Sequence, residues 1–184
     1  ERLVRSLLDA GTETHVILSP NGAKVFCEEI GVRLGSGPAE IERNFKKHFG
    51  SPKLLKLAPA DDMAAAVSSG SFRTAGTVIA PCSLSTACAI ANGITMNLIH
   101  RAASVALKEK RKLILVPRES PLSVIHLRNL LTLAEAGAYV VPATTAFYHK
   151  PRTVFEMVDF TVGRIFDLLG MEHKLFKRWR DKGS

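Results

Sequence analysis

Three short runs constrain the fold more than anything else in the chain: TVIAP at 77–81, KLILVP around 112–116, and AYVVP at 138–142. Each is apolar, rich in branched residues and uninterrupted by charge, the pattern of a strand buried on both faces. Two more apolar runs read as strands, ETHVILS at 13–19 and KLLKLA at 53–58. Helical patterns separate them: 1–10 stopped by Gly11, 22–30, PAEIERNFKKHFG opened by Pro38 and ended by Gly50, SLSTACAIANG, TMNLIHRAASVALKEKR, SVIHLRNLLTLAEAG, and 153–169. DDMAAAVSSGSFRTAG reads as a brief helix and a Gly/Ser loop. The last helix carries Val154, Val158, Val162, Ile165, Phe166 and Leu169 on one stripe. Strand and helix in alternation predict an α/β fold with a parallel sheet covered on both sides.

The size, 184 residues at 46% apolar, fits one domain over 1–184, with 170–184 as a C-terminal tail. No apolar run reaches the roughly 18 residues that a membrane span needs. The start, ERLVRSLLDAG, is an amphipathic helix without the features of a secretory signal, so a cytoplasmic protein is expected. Cys27, Cys82 and Cys88 are odd in number and match no common metal spacing; they read as free thiols, with neither a disulfide framework nor a zinc site. A formal charge of +8 favours an anionic partner, phosphorylated small molecules or nucleic acid. The densest basic stretch is HKLFKRWRDKGS, where Lys174, Lys177, Arg178, Arg180 and Lys182 surround Trp179; an exposed helical face is its plain reading.

Parallel sheets bind ligands beyond the carboxyl ends of their strands, and three of those ends carry polar residues. Ser19 follows HVIL. Ser83, Leu84, Ser85 and Thr86 follow VIAPC, where hydroxyls and free helix N–H groups could hold a phosphate or a carbonyl-rich ring, or where one hydroxyl simply caps the helix. Arg118 and Glu119 follow LILVP, held between Pro117 and Pro121 in one restricted geometry. Arg101 and Lys108 lie seven apart, on one helical face. Arg164 interrupts the last apolar helix, and a buried guanidinium there predicts a carboxylate or phosphate opposite it. Tyr148 and His149 follow the last strand in TTAFYHKP.

The run from APCSLSTACAIANG through NLIHRAASVALKEKRKLILVPRESP to FYHKP, with VDFTVGRIFDLLG after it, resembles the UbiX-type flavin prenyltransferases. The resemblance implies a flavodoxin-like or Rossmann-like three-layer fold and trimers that assemble into dodecamers. It further implies metal-independent transfer of a dimethylallyl group from dimethylallyl monophosphate to N5 and C6 of reduced FMN, the product serving UbiD-type decarboxylases. Carried over by position, Ser19, Ser83 to Thr86 and Arg118 are expected to hold FMN, with Arg101 at another position that the family keeps basic. Lys108, Tyr148 and Arg164 are expected to grip the donor phosphate. Glu119 is the expected acid/base group and Glu29 a second acid near the flavin. Ser69, Gly70 and Ser71 resemble a loop that approaches the flavin from a neighbouring subunit, and Trp179 matches a tryptophan that can fold over the pocket.

The resemblance also implies a strand and a glycine-serine loop before Glu1, so the chain is expected to be a truncated form with two exposed sheet edges. Three other readings stay open on the residues: an FMN-dependent decarboxylase of the phosphopantothenoylcysteine type, a flavin-binding carrier without turnover, and nucleic-acid binding through the basic tail. The motifs rank the last of these lowest, so neither nucleic acid nor a membrane is an expected partner.

Overall fold

The computed structural model describes residues 1–179, so Arg180 and Lys182 of the basic tail lie outside the described residues. In chain order the elements are α1 (Arg2–Asp9), β1 (Thr14–Leu18), α2 (Pro20–Ile30), α3 (Pro38–His48), β2 (Leu55–Pro59), a 3-10 turn (Ala66–Ser68), β3 (Thr77–Cys82), α4 (Leu84–Ala91), α5 (Leu98–Lys108), β4 (Leu113–Pro117), α6 (Val124–Glu135), β5 (Tyr139–Val140) and α7 (Val154–Leu169). The predicted alternation holds. The predicted brief helix after Asp62 is only the 3-10 turn. The run 138–142 forms a two-residue strand, because the next ladder bond, to the Val141 carbonyl, would need an N–H from Pro117 of β4, which has none; Val141 and Ala143 still donate to Leu115 and Pro117.

All pairing is parallel, in two groups: β1 with β2, and β3, β4, β5 in that order. Among the described residues no strand bridges β1 and β3, so each presents one unpaired backbone edge.

β4 is buried at all five positions, and alternate residues serve different layers. Leu113 and Leu115 pack with Ile79, Ala87, Ile90, Ala103, Ala106, Leu130 and Leu133 of β3, α4, α5 and α6. Ile114 and Val116 turn the other way, onto Ile165 of α7, with Leu3 of α1 beside them. A third cluster, Leu34, Phe45, Phe49 and Leu55, fills the β1–β2 half and takes in Val4 and Leu8 of α1. Helix α1 therefore belongs to both halves.

A bidentate ion pair fastens α1 to α7. Asp159, 7% exposed, accepts from Arg2 Nη2 at 2.8 Å and from Arg2 Nε. Removing one partner of a buried pair strands the other, at a cost of about 3–5 kcal/mol when both are fully buried. Arg2 keeps a third of its side chain in water, so Asp159→Ala is expected to cost about 2 kcal/mol, read as a lower urea midpoint at unchanged m-value. A loss below about 0.5 kcal/mol would mean that the pair does not hold the halves together.

Candidate active site

The carboxyl ends of the strands gather the first group of predicted residues. Ser19 caps α2, its hydroxyl accepting from the Gly22 N–H at 3.0 Å. Ser83 caps α4, accepting from the Thr86 N–H at 3.1 Å and lying 2.9 Å from the Thr86 hydroxyl and 3.3 Å from that of Ser85. The capping reading of the segment Ser83 to Thr86 is thus met. It leaves the amides of Leu84 and Ser85, the first helical positions, without intrahelical partners.

The β3–β4 register sets Cys82 opposite Pro117, so Ser83 and Arg118 are the residues that follow this pair at the ends of adjacent strands. Arg118 Nη1 donates to Glu29 Oε1 at 3.1 Å, both side chains more than half exposed. Helix α2 thus brings Glu29 from the β1 half to the end of β4. Glu119 is exposed and accepts from the Ser120 N–H at 3.1 Å; the carboxylate that Arg118 pairs with is Glu29, and neither Glu119 nor Arg118 is buried in the single chain.

Lys108, Ser69, Gly70 and Ser71 form a second group. Arg111 donates to the carbonyls of Gly70 and Phe72, drawing that loop onto the start of β4. Lys108 Nζ lies 3.4 Å from Glu109 Oε1, and a Cβ added to Gly70 would come 3.4 Å from the same Nζ. Five strand residues at about 3.3 Å each separate this group from Arg118, roughly 16 Å along β4. Arg101 is exposed on α5, nearer the other end of that helix.

The third group sits on α7. A cavity of about 240 Å³ lies between the end of β5 and this helix, lined by Val140, Pro142, Thr144, Phe160, Arg164 and Leu168 among others. A smaller one of about 60 Å³, between β1–β2 and residues 65–67, contains none of the predicted residues. Tyr148 meets Phe160 edge-on at 6.0 Å and Trp179 edge-on at 5.2 Å. His149 stacks on Phe160 at 5.5 Å, both its ring nitrogens buried without a hydrogen-bond partner.

Arg164 is half exposed and donates from Nη1 to Asp167 Oδ2 at 2.9 Å, one turn along its own helix. The carboxylate expected opposite Arg164 is therefore present, but the guanidinium is not buried. Likewise Val154 is 73% and Val158 40% exposed, so only Val162, Ile165 and Phe166 of the predicted apolar stripe are buried, with Leu169 half-buried. The segment 171–179 is non-helical and packs on α7, in contrast to a solvated helical tail.

Sequence reasoning missed Asp167, His173 and Gly163. The Arg164–Asp167 spacing of three is a legible helical pair signal. The approach of residues 173–176 to Gly163 has none.

Burial pushes the Cys82 thiol up to about 11, against a weaker opposing hydrogen bond at Ala87, so the sulfur stays protonated at neutral pH. All three cysteines are unpaired. Among the described residues no group of three or more His, Cys, Asp or Glu is placed to hold a metal, and no helix is long and apolar enough to cross a membrane.

The family model described as Flavoprotein matches residues 1–166. Flavin prenyltransferase UbiX of Halalkalibacterium halodurans is 40% identical over 181 residues, covering 98% of this chain and 86% of that protein. The solved structure of AnUbiX (PadA1) in complex with FMN and dimethylallyl pyrophosphate superposes with a TM-score of 0.84 at 37% identity, covering 99% of this chain and 90% of that one. A dodecameric FMN-dependent UbiX-like decarboxylase from Escherichia coli O157:H7 superposes with a TM-score of 0.80 at 37% identity, covering 97% and 89%.

Proposed function

Because the chain belongs to the flavoprotein family and, within it, to the UbiX flavin prenyltransferases, we propose that it moves a dimethylallyl group from dimethylallyl monophosphate to N5 and C6 of reduced FMN. The prenylated flavin then serves UbiD-type decarboxylases. The observation that carries this reading is the β3–β4 register, which sets the hydroxyl-lined start of α4 beside Arg118 and its partner Glu29. Three hydroxyls, two free amides and an exposed guanidinium fit a phosphorylated ligand with a carbonyl-bearing ring. Reduced FMN supplies the electron-rich ring that receives the prenyl group.

The roles of this chain's residues follow from the charges that the reaction moves. Breaking the allylic carbon–oxygen bond leaves charge on phosphate, and Lys108, Arg164 and Tyr148 are the groups that would stabilise it. Glu119, at the end of β4 beside Arg118, would deliver or accept the proton. Ser19, Ser83 to Thr86, Arg118 and Arg101 orient the flavin, and Trp179 closes the donor side.

One chain does not bring these groups together, and that shapes the reading. Lys108 travels with the loop Ser69–Gly70–Ser71 at the far end of β4, so we assign both to a neighbouring subunit's site. A second copy is also favoured by the exposed apolar face of α6, where Val124, Ile125, Leu127 and Leu131 are 51–67% exposed, with Met96 at 72%. Trimers assembled into a dodecamer are the proposed state. Three unpaired cysteines support a cytoplasmic setting.

The test is anaerobic incubation of the protein with reduced FMN and dimethylallyl monophosphate, followed by mass spectrometry of the extracted flavin. A gain of one dimethylallyl unit is expected. Bound flavin of unchanged mass would favour a carrier, and release of carbon dioxide from a cysteinyl substrate would favour the decarboxylase reading.

A further inference from the structure

We propose that Asp167 is a positioning residue that aims Arg164 at the cavity and, with the same carboxylate, latches the segment 171–179, so that seating the segment and aiming the guanidinium are one event.

Phe160, Gly163, Arg164 and Asp167 lie at i, i+3, i+4 and i+7 and form one stripe of α7. Its cavity side is Phe160 and Arg164. Its other side receives the segment. A Cβ at Gly163 would come 2.4 Å from Phe176 and 2.6 Å from His173, so these rings rest on bare backbone. Phe176 continues onto Phe160 at 4.9 Å, and Trp179 onto Tyr148.

Asp167 joins the two sides. Oδ2 accepts from Arg164 Nη1 at 2.9 Å and from Arg178 Nη1 at 3.3 Å; Oδ1 accepts from Arg178 Nη2 at 2.7 Å and from His173 Nε2 at 3.1 Å. His173 Nδ1 accepts from the Leu175 N–H at 3.2 Å, which leaves Nε2 as the donor of the neutral ring. A carboxylate offers about four acceptor positions, and all are taken. Burial pushes the Asp167 carboxyl up, and the hydrogen bonds from Arg178 and His173 outweigh it, so its pKa lies below the ordinary carboxylate value and it is ionised at neutral pH.

Arg164 lines the cavity while spending one of its five N–H donors on Asp167, which restrains the guanidinium there and leaves four donors for a ligand. If the segment unseats, Arg178 and His173 leave the carboxylate, and Arg164 is free to swing onto the vacated oxygen and away from the cavity. This rests on the reading that Arg164 grips the donor phosphate.

The experiment uses the full chain, whose one tryptophan, Trp179, reports on the segment. Asp167→Asn is expected to raise KM for dimethylallyl monophosphate about tenfold, with KM for FMN within about twofold, and to increase acrylamide quenching of Trp179 about twofold. Arg178→Gln, which cuts the latch from the segment side, should reproduce the quenching change and raise the donor KM about threefold. In combination with Arg164→Gln it should add nothing further, because both act through one carboxylate.

Native quenching and native donor KM in Asp167→Asn overturn the proposal, as does a multiplicative Arg164/Arg178 double variant. Should Asp167→Asn fail to fold, the Arg178→Gln quenching and the double-variant cycle decide. If Arg164→Gln alone leaves the donor KM unchanged, the donor-phosphate reading fails, while Trp179 quenching still tests the latch.

Discussion

Replacing Glu119 by glutamine is expected to lower the rate of flavin prenylation on the order of 10²–10³-fold while FMN affinity stays within about twofold. The two side chains have nearly the same shape, and the backbone that presents them is fixed by β4 on one side and Pro121 on the other. What disappears is a group able to lose and regain a proton where the donor's oxygen departs. Glu119 is suited to this because Arg118, its neighbour in sequence, is engaged by Glu29, so the Glu119 carboxylate is left for the substrates. Single-turnover measurement of the flavin product decides the matter: a loss below about threefold would remove Glu119 from proton transfer.

Lys108→Ala is expected to be comparably damaging, on the order of 10²-fold, because an ammonium that steadies the departing phosphate contributes its full charge only in the transition state. Its place in the chain makes a second expectation possible. Lys108 and Glu119 lie at opposite ends of β4, and if each site takes one from either subunit, two inactive variants repair one another. Mixing Lys108→Ala with Glu119→Gln subunits at equal amounts, dissociating and reassembling them, should restore about a quarter of the native rate, the fraction of sites that receive both intact groups. Recovery no greater than the sum of the two variants would place both residues in one chain's site and contradict the division of the site between subunits.

Much of this was legible in the amino-acid order, for physical reasons that differ by element. β4 was readable because five uninterrupted apolar residues have no stable place other than a strand covered on both faces, and Leu113–Pro117 are all buried. The residues at strand ends were readable because a charge or hydroxyl that follows such a run must sit at the sheet's rim. The regular part of β5 is shorter than its apolar pattern suggests, since the neighbouring strand ends in Pro117, which has no N–H for the next ladder bond. Arg164 lies on the helix that the pattern predicts, yet it is not buried: its stripe is apolar in letters, while half of its side chain is exposed beside the cavity. Arg2 with Asp159 could not be seen at all, because nothing local marks two residues 157 positions apart as partners. For the same reason the separation of Lys108 from Glu119 was invisible: sequence spacing along a helix reports a shared face, not which end of the sheet that face reaches.

The pairing of α1 with α7 carries a consequence for how the molecule is made. Arg2 and Asp159 are 157 residues apart, with all five described strands between them. A contact of that separation is rewarded only after a long loop has closed, so fastening the seam through α1 and α7 is expected to be a late step in folding.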